Sequence, residues 1–252
     1  MKSFPGIPSI SARPLRSALA LIAAWATLLT SWQVVQAAPA AWQGSLPAGH
    51  LLAGRTVVID PGHGGFDPGS IGRQADEATI NLQIALALRR WLEEAGARVL
   101  MTWSKPQDIP KTRKYRVQSR MVYINSTDAD VLIDIHCNAS AAVWHGPQTF
   151  YWAGAPSYHL AQSIQEELQY LTGSRRQVQR IDQYVLRHAK MPAVNVEVGF
   201  ITNPAEEQKL LDPEYQRRLT WAIFLGVERW FLRAHWPQDL LEAPPPTELM
   251  RR

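Results

Sequence analysis

The sequence predicts an α/β fold, namely a single domain in which a mostly parallel, twisted sheet of about six strands carries helices on both faces. The chain has 252 residues, a length that suits one domain with short extensions better than two full domains. Hydrophobic residues make up 46% of it and charged residues 19%, which is enough to fill a core. Short β-branched runs alternate along the chain with segments of helical periodicity, and this alternation is typical of βαβ units.

The first 37 residues are typical of an export signal. Three basic residues precede the apolar run SALALIAAWATLLTSW, and VVQAAPA then offers a small-residue cleavage site before Ala38. No charged residue lies between Arg16 and Arg55, so an uncleaved anchor is the alternative, although the apolar run is diluted by small and polar residues. Residues 38–53 are predicted to be a linker. In either case we expect an exported protein, and it is attached to the membrane, through this N-terminal segment alone, only if the segment is uncleaved.

Charge and cysteine content exclude two classes of protein. The formal net charge is +4, but residues 1–37 hold three of the 26 basic residues and no acid, which leaves 23 basic against 22 acidic residues, or +1. So small an excess does not predict nucleic-acid binding. The single cysteine, Cys137, excludes an internal disulfide. It follows His136, but neighbours in a strand point to opposite faces, so we expect a core residue and not a Cys-His nucleophile.

The first half of the predicted domain, residues 54–234, contains two strands and two helices. RTVVID is a short β-branched run, which is the profile of a buried strand. The segment that begins at Glu77 has apolar residues at helical spacing up to a stop at Gly96, and ARVLMTW is the next strand. A basic loop over residues 105–116 then leads to a short helix over residues 117–125.

The second half adds three strands and three helices. The predicted strands are DVLIDIHCNA, PQTFYWA and AVNVEVGFI. A helix is expected in PSYHLAQSIQEELQYLTG, where Pro156 lies at its start and Gly173 at its end. Two more helices follow and are separated at Asp212-Pro213. Residues 235–252 contain APPPTELMRR and are predicted to form a flexible tail.

The glycine-rich stretch VVIDPGHGGFDPGSIG allows three interpretations: a phosphate-binding loop, a plain corner after a strand, or a loop that carries a metal ligand. The phosphate-binding loop is disfavoured because the stretch lacks a G-K-[ST] motif and no helix follows its glycines directly. A plain corner remains open for His63 taken alone, as does a structural role for His136. Glu197 is different, because an acid inside the apolar run AVNVEVGFI is costly to bury unless it is paired or faces a cation.

The carboxyl ends of parallel strands meet at one edge of a sheet, so the polar residues at these ends are expected to lie close together. Two histidines and two glutamates occupy such positions: His63, Glu77, His136 and Glu197. Catalytic zinc sites use three nitrogen or oxygen ligands and keep one position for water. The remaining carboxylate then takes a proton from that water and passes it to the leaving nitrogen. The sequence contains no H-E-x-x-H helix and is therefore not that of a zincin.

In four ordered blocks the sequence resembles the zinc-dependent N-acetylmuramoyl-L-alanine amidases of the Amidase_3 family, over roughly residues 54–232. VVIDPGHGG resembles the first block and makes His63 a zinc ligand; EATINLQIALAL makes Glu77 the second, and DVLIDIHCNAS makes His136 the third. PAVNVEVGFITNPAEE resembles the block that carries the catalytic acid/base, here Glu197. The resemblance implies a Zn²⁺ cofactor and hydrolysis of the bond between N-acetylmuramic acid and L-alanine of peptidoglycan. One departure is Asp134, where the family usually has serine, and we expect it to change the surroundings of the ligands.

The GPQTFYW strand and the run YVLRHAKMPAVNVEVGF resemble the spore-cortex, germination-specific subgroup of the family. This finer resemblance implies a role in forming muramic δ-lactam, with an activating lipoprotein and a downstream deacetylase as partners. It implies action in the cell wall or in the forespore intermembrane space. Two rivals stay open: a zinc peptidase that cleaves within the stem peptide, and a catalytically silent wall-binding protein.

Several further residues are predicted to contact substrate. Asn138 is two residues beyond His136 and is expected on the same strand face, and the basic segment that holds Arg175 and Arg176 offers charge for an acidic peptide. A solvated loop is the alternative for this segment. Trp144 and Trp152 are candidates for stacking on sugar. Arg120, in the helix before the third strand, is expected to orient a structural carboxylate.

Overall fold

The structure, a computed structural model, describes residues 51–108 and 117–232. The predicted signal, nearly all of the linker, most of the basic loop and the tail lie outside the described residues. The described residues belong to one compact unit. None of their helices is both long enough and apolar enough to cross a membrane.

The described residues form six strands and six α-helices, with one short 3₁₀ turn at Pro106–Asp108. The strands are β1 (Thr56–Pro61), β2 (Arg98–Met101), β3 (Val131–Asn138), β4 (Gln148–Tyr151), β5 (Gln179–Arg180) and β6 (Ala193–Phe200). The helices are α1 (Glu77–Glu94), α2 (Val117–Ser126), α3 (Ala155–Thr172), α4 (Tyr184–His188), α5 (Pro204–Leu211) and α6 (Pro213–Leu232).

All six strands form one sheet in the order β2-β1-β3-β6-β4-β5. Every neighbouring pair is parallel except β4 with β6, which is antiparallel. The predicted mostly parallel sheet of about six strands is therefore confirmed. The strand β5 and the helix α4 were not expected individually, because elements of two and five residues are too short to show a period.

Helices cover both faces of the sheet, as the alternation of strands and helices predicted. Helices α1 and α3 pack against the strands, and α6 packs against these two helices. On the other face, α2 and α4 close a hydrophobic cluster whose members from the strands include Val58, Leu132 and Ala193. These three residues are register partners on β1, β3 and β6. This register determines which polar residues meet at the carboxyl ends of the strands.

Alternation along the strands places polar residues beyond this cluster on the same face. Two residues further along, Asp60, Asp134 and Asn195 are register partners, and beyond them His136 is the partner of Glu197. Side chains at positions i and i+2 of a strand lie on one face of the sheet. The α2/α4 face therefore changes from apolar to polar at the carboxyl ends of its three central strands, which is where ligand sites of such sheets lie.

Candidate metal centre

The loop between β1 and α1 carries His63, and the fold needs its glycines at two close approaches. A Cβ on Gly62 would lie 2.2 Å from Cε1 of His136, and a Cβ on Gly69 would lie 2.7 Å from Oε2 of Glu77. His63 has a φ of 63°, and it is the one non-glycine residue with positive φ in the described part of the chain. Backbone strain of this kind is concentrated at functional sites. The glycine-rich stretch is thus a loop folded tightly around a histidine, as the metal-ligand interpretation requires.

Three donor side chains converge at this end of the sheet: His63, Glu77 and His136. Nε2 of His63 lies 3.2 Å from Oε1 of Glu77, and Nδ1 of His136 lies 2.9 Å from the same oxygen. One ligand atom from each residue falls within 4.8 Å of the other two. Two imidazoles and one carboxylate are a donor set typical of catalytic zinc. The three residues predicted as ligands are therefore brought together with the chemistry that the metal needs.

Glu77 occupies the first turn of α1 and is held from several directions. Asp76 caps the helix by accepting a hydrogen bond from the backbone N–H of Thr79, which fixes where Glu77 emerges. Oε2 of Glu77 accepts a bond from Ser70 N at 2.9 Å, and Oε1 accepts one from Cys137 N at 3.1 Å. Burial by itself raises the pKa of Glu77, but hydrogen bonds to His136 and His63 hold that pKa well below its ordinary value. The carboxylate is thus ionised and ready to bind a cation.

Each histidine meets a second carboxylate at the ring nitrogen that faces away from Glu77. Nδ1 of His63 lies 2.8 Å from Oδ2 of Asp67, and Nε2 of His136 lies 3.3 Å from Oδ1 of Asp134. A carboxylate behind a ligand histidine fixes its tautomer and raises its basicity as a ligand. Asp67 was missed by the sequence analysis. The signal was its position four residues after His63 in the same glycine-rich loop.

Glu197 lies on β6 opposite His136 and has the properties of a general base. Its Oε1 accepts a hydrogen bond from Nδ2 of Asn195 at 3.1 Å, whereas Oε2 is buried and has no hydrogen-bond partner among the described residues. Burial raises the pKa of Glu197 to about 7, although the positive charge of His136 opposes the shift. A carboxylate with a pKa near neutrality can both accept and return a proton. The acid inside an apolar run, predicted from the sequence to be paired or to face a cation, thus lies beside His136 with a raised pKa.

The buried charges around the site are unbalanced and favour a cation. Asp60, Glu77 and Asp134 are buried carboxylates, and Glu197 is the fourth close by. With the two histidines neutral, as metal binding requires, a single guanidinium among the described residues pairs with these carboxylates: Nη1 of Arg120 donates to Oδ1 of Asp60 at 2.9 Å. Buried carboxylates are costly unless paired or bound to a metal, so a divalent ion fits the excess negative charge. The contact also confirms the expectation that Arg120 orients a structural carboxylate.

Two buried glutamates at the start of α5 hold the loops at the rim, and sequence analysis assigned them no role. Oε1 of Glu207 accepts hydrogen bonds from the backbone of Gln74 at 2.6 Å and of Ala75 at 3.2 Å, in the loop that leads to Glu77. Oε2 of Glu206 accepts one from Gly146 N at 2.6 Å, just before β4. The turn after β6 thus determines the position of loops that come from two other strands.

The residues predicted to contact substrate have different surroundings. Between His136 and Asn138 the register of β3 against β6 shifts, so the simple alternation behind the prediction for Asn138 is interrupted. Arg175 is exposed. Arg176 lies over the rings of Trp144 and Phe200 and donates to Oε1 of Gln148 at 2.8 Å. Substrate contact by these three residues stays a prediction, and Arg176 also has a structural role.

Of the two tryptophans predicted to stack on sugar, Trp144 is 51% exposed in the loop after β3. Trp152 lies beneath the guanidinium of Arg180, with 4.4 Å between the guanidinium carbon and the ring centroid. Each ring therefore has a guanidinium over one face, Arg176 over Trp144 and Arg180 over Trp152, and Trp144 keeps half of its surface exposed at the rim.

Comparison with known proteins is consistent with this geometry. The family model of the N-acetylmuramoyl-L-alanine amidases (Amidase_3) matches residues 57–229. The germination-specific N-acetylmuramoyl-L-alanine amidase of Bacillus subtilis is 34% identical over 200 residues, which are 75% of this chain and 84% of that protein. The amidase LytC of the same organism is 35% identical over 185 residues, 71% of this chain and 36% of that protein.

Solved structures show the same fold. The CwlD amidase of Clostridioides difficile, in complex with the GerS lipoprotein, superposes with a TM-score of 0.65 at 31% identity and covers 71% of this chain and 98% of that one. The catalytic domain of the amidase CwlV from Bacillus (Paenibacillus) polymyxa gives a TM-score of 0.64 at 30% identity, over 70% of this chain and 98% of that one.

Proposed function

The chain belongs to the Amidase_3 family of N-acetylmuramoyl-L-alanine amidases, and we propose that it hydrolyses the amide bond between N-acetylmuramic acid and L-alanine of peptidoglycan. In this proposal His63, Glu77 and His136 form a zinc site, and Glu197 is the acid/base. The observation that carries the assignment is the convergence of these three donors beside Glu197, a half-buried glutamate of raised pKa.

Zinc is the metal that the donor set favours. Two imidazole nitrogens and one carboxylate oxygen match the ligands of catalytic zinc, which keeps a further position for water and substrate. When bound in such a site, the ion acts as a Lewis acid that polarises a carbonyl and makes a water molecule more acidic. Asp67 and Asp134 hold the histidines, and Gly62 and Gly69 leave room for the rings and the carboxylate.

Glu197 moves the proton. Its Oε2, buried and without a hydrogen-bond partner among the described residues, accepts a proton from the water whose oxygen forms the new bond to the lactyl carbonyl carbon. The carbon–nitrogen bond then breaks, and the same oxygen returns the proton to the departing nitrogen of L-alanine. The products are a free lactyl carboxylate and a peptide with a free amino terminus. A pKa near 7 suits both transfers, because neither protonation state of Glu197 is strongly favoured.

The substrate is bound across the loops that carry the ligands. Phe66 and Ile71 are 67% and 63% exposed in the loop of His63, and Trp144 is exposed in the loop after His136. Exposed apolar side chains of this kind offer surface for the methyl and ring faces of a glycan with its peptide. Asn138, Arg175 and Arg176 remain proposed contacts for the polar and acidic groups of the peptide.

The relatives support a proposal for the biological setting. One is named as germination-specific, and a structural neighbour was solved as an amidase in complex with a lipoprotein. We extend the proposal to spore-cortex maturation, with an activating lipoprotein and a downstream deacetylase as partners, and to export through the N-terminal segment into the cell wall or the forespore intermembrane space. Peptidoglycan lies outside the cytoplasm, so an enzyme of this family has to be exported to reach it.

The test is digestion of purified peptidoglycan by the zinc-loaded protein, with the released fragments identified by mass. We expect peptides that begin with free L-alanine, and no release after chelation. Glu197→Gln should lower the rate by about 10²- to 10⁴-fold and retain zinc, because it removes the proton acceptor alone. The control is Glu93→Gln, since Glu93 is an exposed acid on α1 that pairs with Arg89. Fragments cut within the peptide would indicate a peptidase, and full activity of Glu197→Gln would exclude the proposed base.

A further inference from the structure

Asp134 on β3 is the least compensated carboxylate in the described part of the chain. It is fully buried, and neither of its carboxylate oxygens accepts a well-aligned hydrogen bond there. Leaving such a group in the interior costs several kcal/mol in general, so its presence needs a reason. Packing supplies none, because an apolar side chain of the same size would fill the position without that cost.

The polar neighbours of Asp134 show where its carboxylate acts. In register on β1 is Asp60, whose Oδ1 already accepts from Arg120 and from Thr102 Oγ1. In register on β6 is Asn195, whose amide donates to Glu197. Glu197 is also near enough to feel the charge of Asp134, but it is a like charge. The neighbour that can donate to Asp134 is His136, two residues further along β3, whose Nε2 lies 3.3 Å from Oδ1 of Asp134.

We propose that Asp134 is a positioning residue for the metal centre: it holds His136 in the tautomer that carries its proton on Nε2, so that Nδ1 is the nitrogen offered to the metal. The inference rests on the proposed zinc site and adds to it which nitrogen binds and which residue determines this choice. Neutral imidazole has one donor nitrogen and one acceptor nitrogen. An ionised carboxylate only accepts hydrogen bonds, so it opposes a lone pair on Nε2 and favours a proton there.

His63 also has a carboxylate at the ring nitrogen that does not face Glu77, but there this nitrogen is Nδ1. There Asp67 contacts Nδ1 at 2.8 Å, and Nε2 faces Glu77. At His136 it is Nδ1 that faces Glu77, and the carboxylate contacts Nε2. The two histidines thus offer different nitrogens to the metal, Nε2 in His63 and Nδ1 in His136. In each ring the nitrogen that is not offered contacts an aspartate. Asp67 belongs to the exposed loop, whereas Asp134 is part of the sheet and its backbone is held by the strands on both sides.

The first test compares two uncharged variants of similar size. Asp134→Asn keeps an oxygen that can accept from Nε2–H, whereas Asp134→Leu removes the acceptor. We expect the zinc Kd, measured by competition with a chromophoric chelator, to rise about 10- to 100-fold in Asp134→Leu and by clearly less in Asp134→Asn. Asp128→Asn is the control, since it removes the charge of an exposed aspartate that pairs with Arg98. Equal zinc Kd values in the two Asp134 variants, whether changed or not, would overturn the proposal.

The second test needs no variant at position 134. Nitrogen-15 NMR of the zinc-loaded wild-type protein should show His136 protonated at Nε2 and ligated through Nδ1, with the reverse pattern at His63. Ligation of His136 through Nε2 overturns this proposal and leaves the zinc site intact. A wild-type protein that binds no zinc overturns the proposed function together with this inference. The NMR result decides even if Asp134→Leu fails to fold.

Discussion

Gly62→Ala should abolish metal binding, because the added methyl group would displace the ring of His136. Gly62 is not among the glycines with positive φ, so alanine is compatible with its backbone conformation, and the whole effect is steric. The added Cβ would lie 2.2 Å from Cε1 of His136, whereas ordinary contact begins at 3.4 Å, so the ring must move by the difference, about 1.2 Å. Metal–ligand distances tolerate only about 0.2 Å.

The expected result is a rise of more than about 100-fold in the zinc Kd, because a displaced ligand costs more than the 10- to 100-fold loss seen when a supporting residue is removed. Zinc content after dialysis and chelator competition both measure it. The free energy of unfolding of the metal-free protein should fall by about 1–3 kcal/mol, the usual cost of overpacking.

Gly54→Ala is the matched control for this substitution. Gly54 has a φ of 79° and nothing within 4 Å of an added Cβ, so alanine there strains the backbone by about 1 kcal/mol and meets no neighbour. It should lower stability and leave the zinc Kd unchanged. A Gly62→Ala protein that binds zinc within threefold of wild type would refute the reasoning, because the ring would then have moved without cost to the metal.

Two further predictions concern the buried charges. Burial raises the pKa of Glu197 to about 7, and the base must be ionised to accept a proton. The value of kcat/KM should therefore fall tenfold per pH unit below about pH 7. A flat profile from pH 5 to 7 in zinc-loaded protein would contradict this role. Arg120→Met leaves Asp60 buried without a cationic partner, with only the hydroxyl of Thr102 donating to it, and should cost about 3–5 kcal/mol of unfolding free energy in urea titrations. A loss under 1 kcal/mol would mean that the ion pair does not stabilise the fold.

The fold was predictable from the sequence because its strands and helices are long enough to show a period. The apolar positions of α1, α3 and α6 recur at helical spacing, and the runs that become β1, β3 and β6 are continuous and β-branched, as buried parallel strands require. The register of these strands was not predictable. It depends on which side chains interdigitate across the sheet, and the alternation of one strand says nothing about the alignment of the next.

The candidate ligands and the base were identifiable because their chemistry is unusual where they occur. His63 interrupts a glycine-rich loop, and Glu197 is an acid in an apolar run. Their supporting residues are ordinary in sequence. Nothing near Glu207 indicates that its carboxylate holds the backbone of Gln74, which is 133 residues away.

The sequence by itself determined the strands and helices and their order, and it placed polar residues of distinctive chemistry at the ends of the strands. Both could be predicted because periodicity and the cost of burying a charge depend on residues that are close together in the chain. Only the tertiary structure decided that Glu77 contacts both histidines, that Asp134 lies behind His136, and that Gly62 leaves room for the ring. The contacts of Glu77 and Gly62 join segments far apart in the chain, so they exist only once the register of the sheet and the packing of α1 bring those segments together, and the Asp134–His136 contact depends on the side-chain orientations that this packing selects within β3.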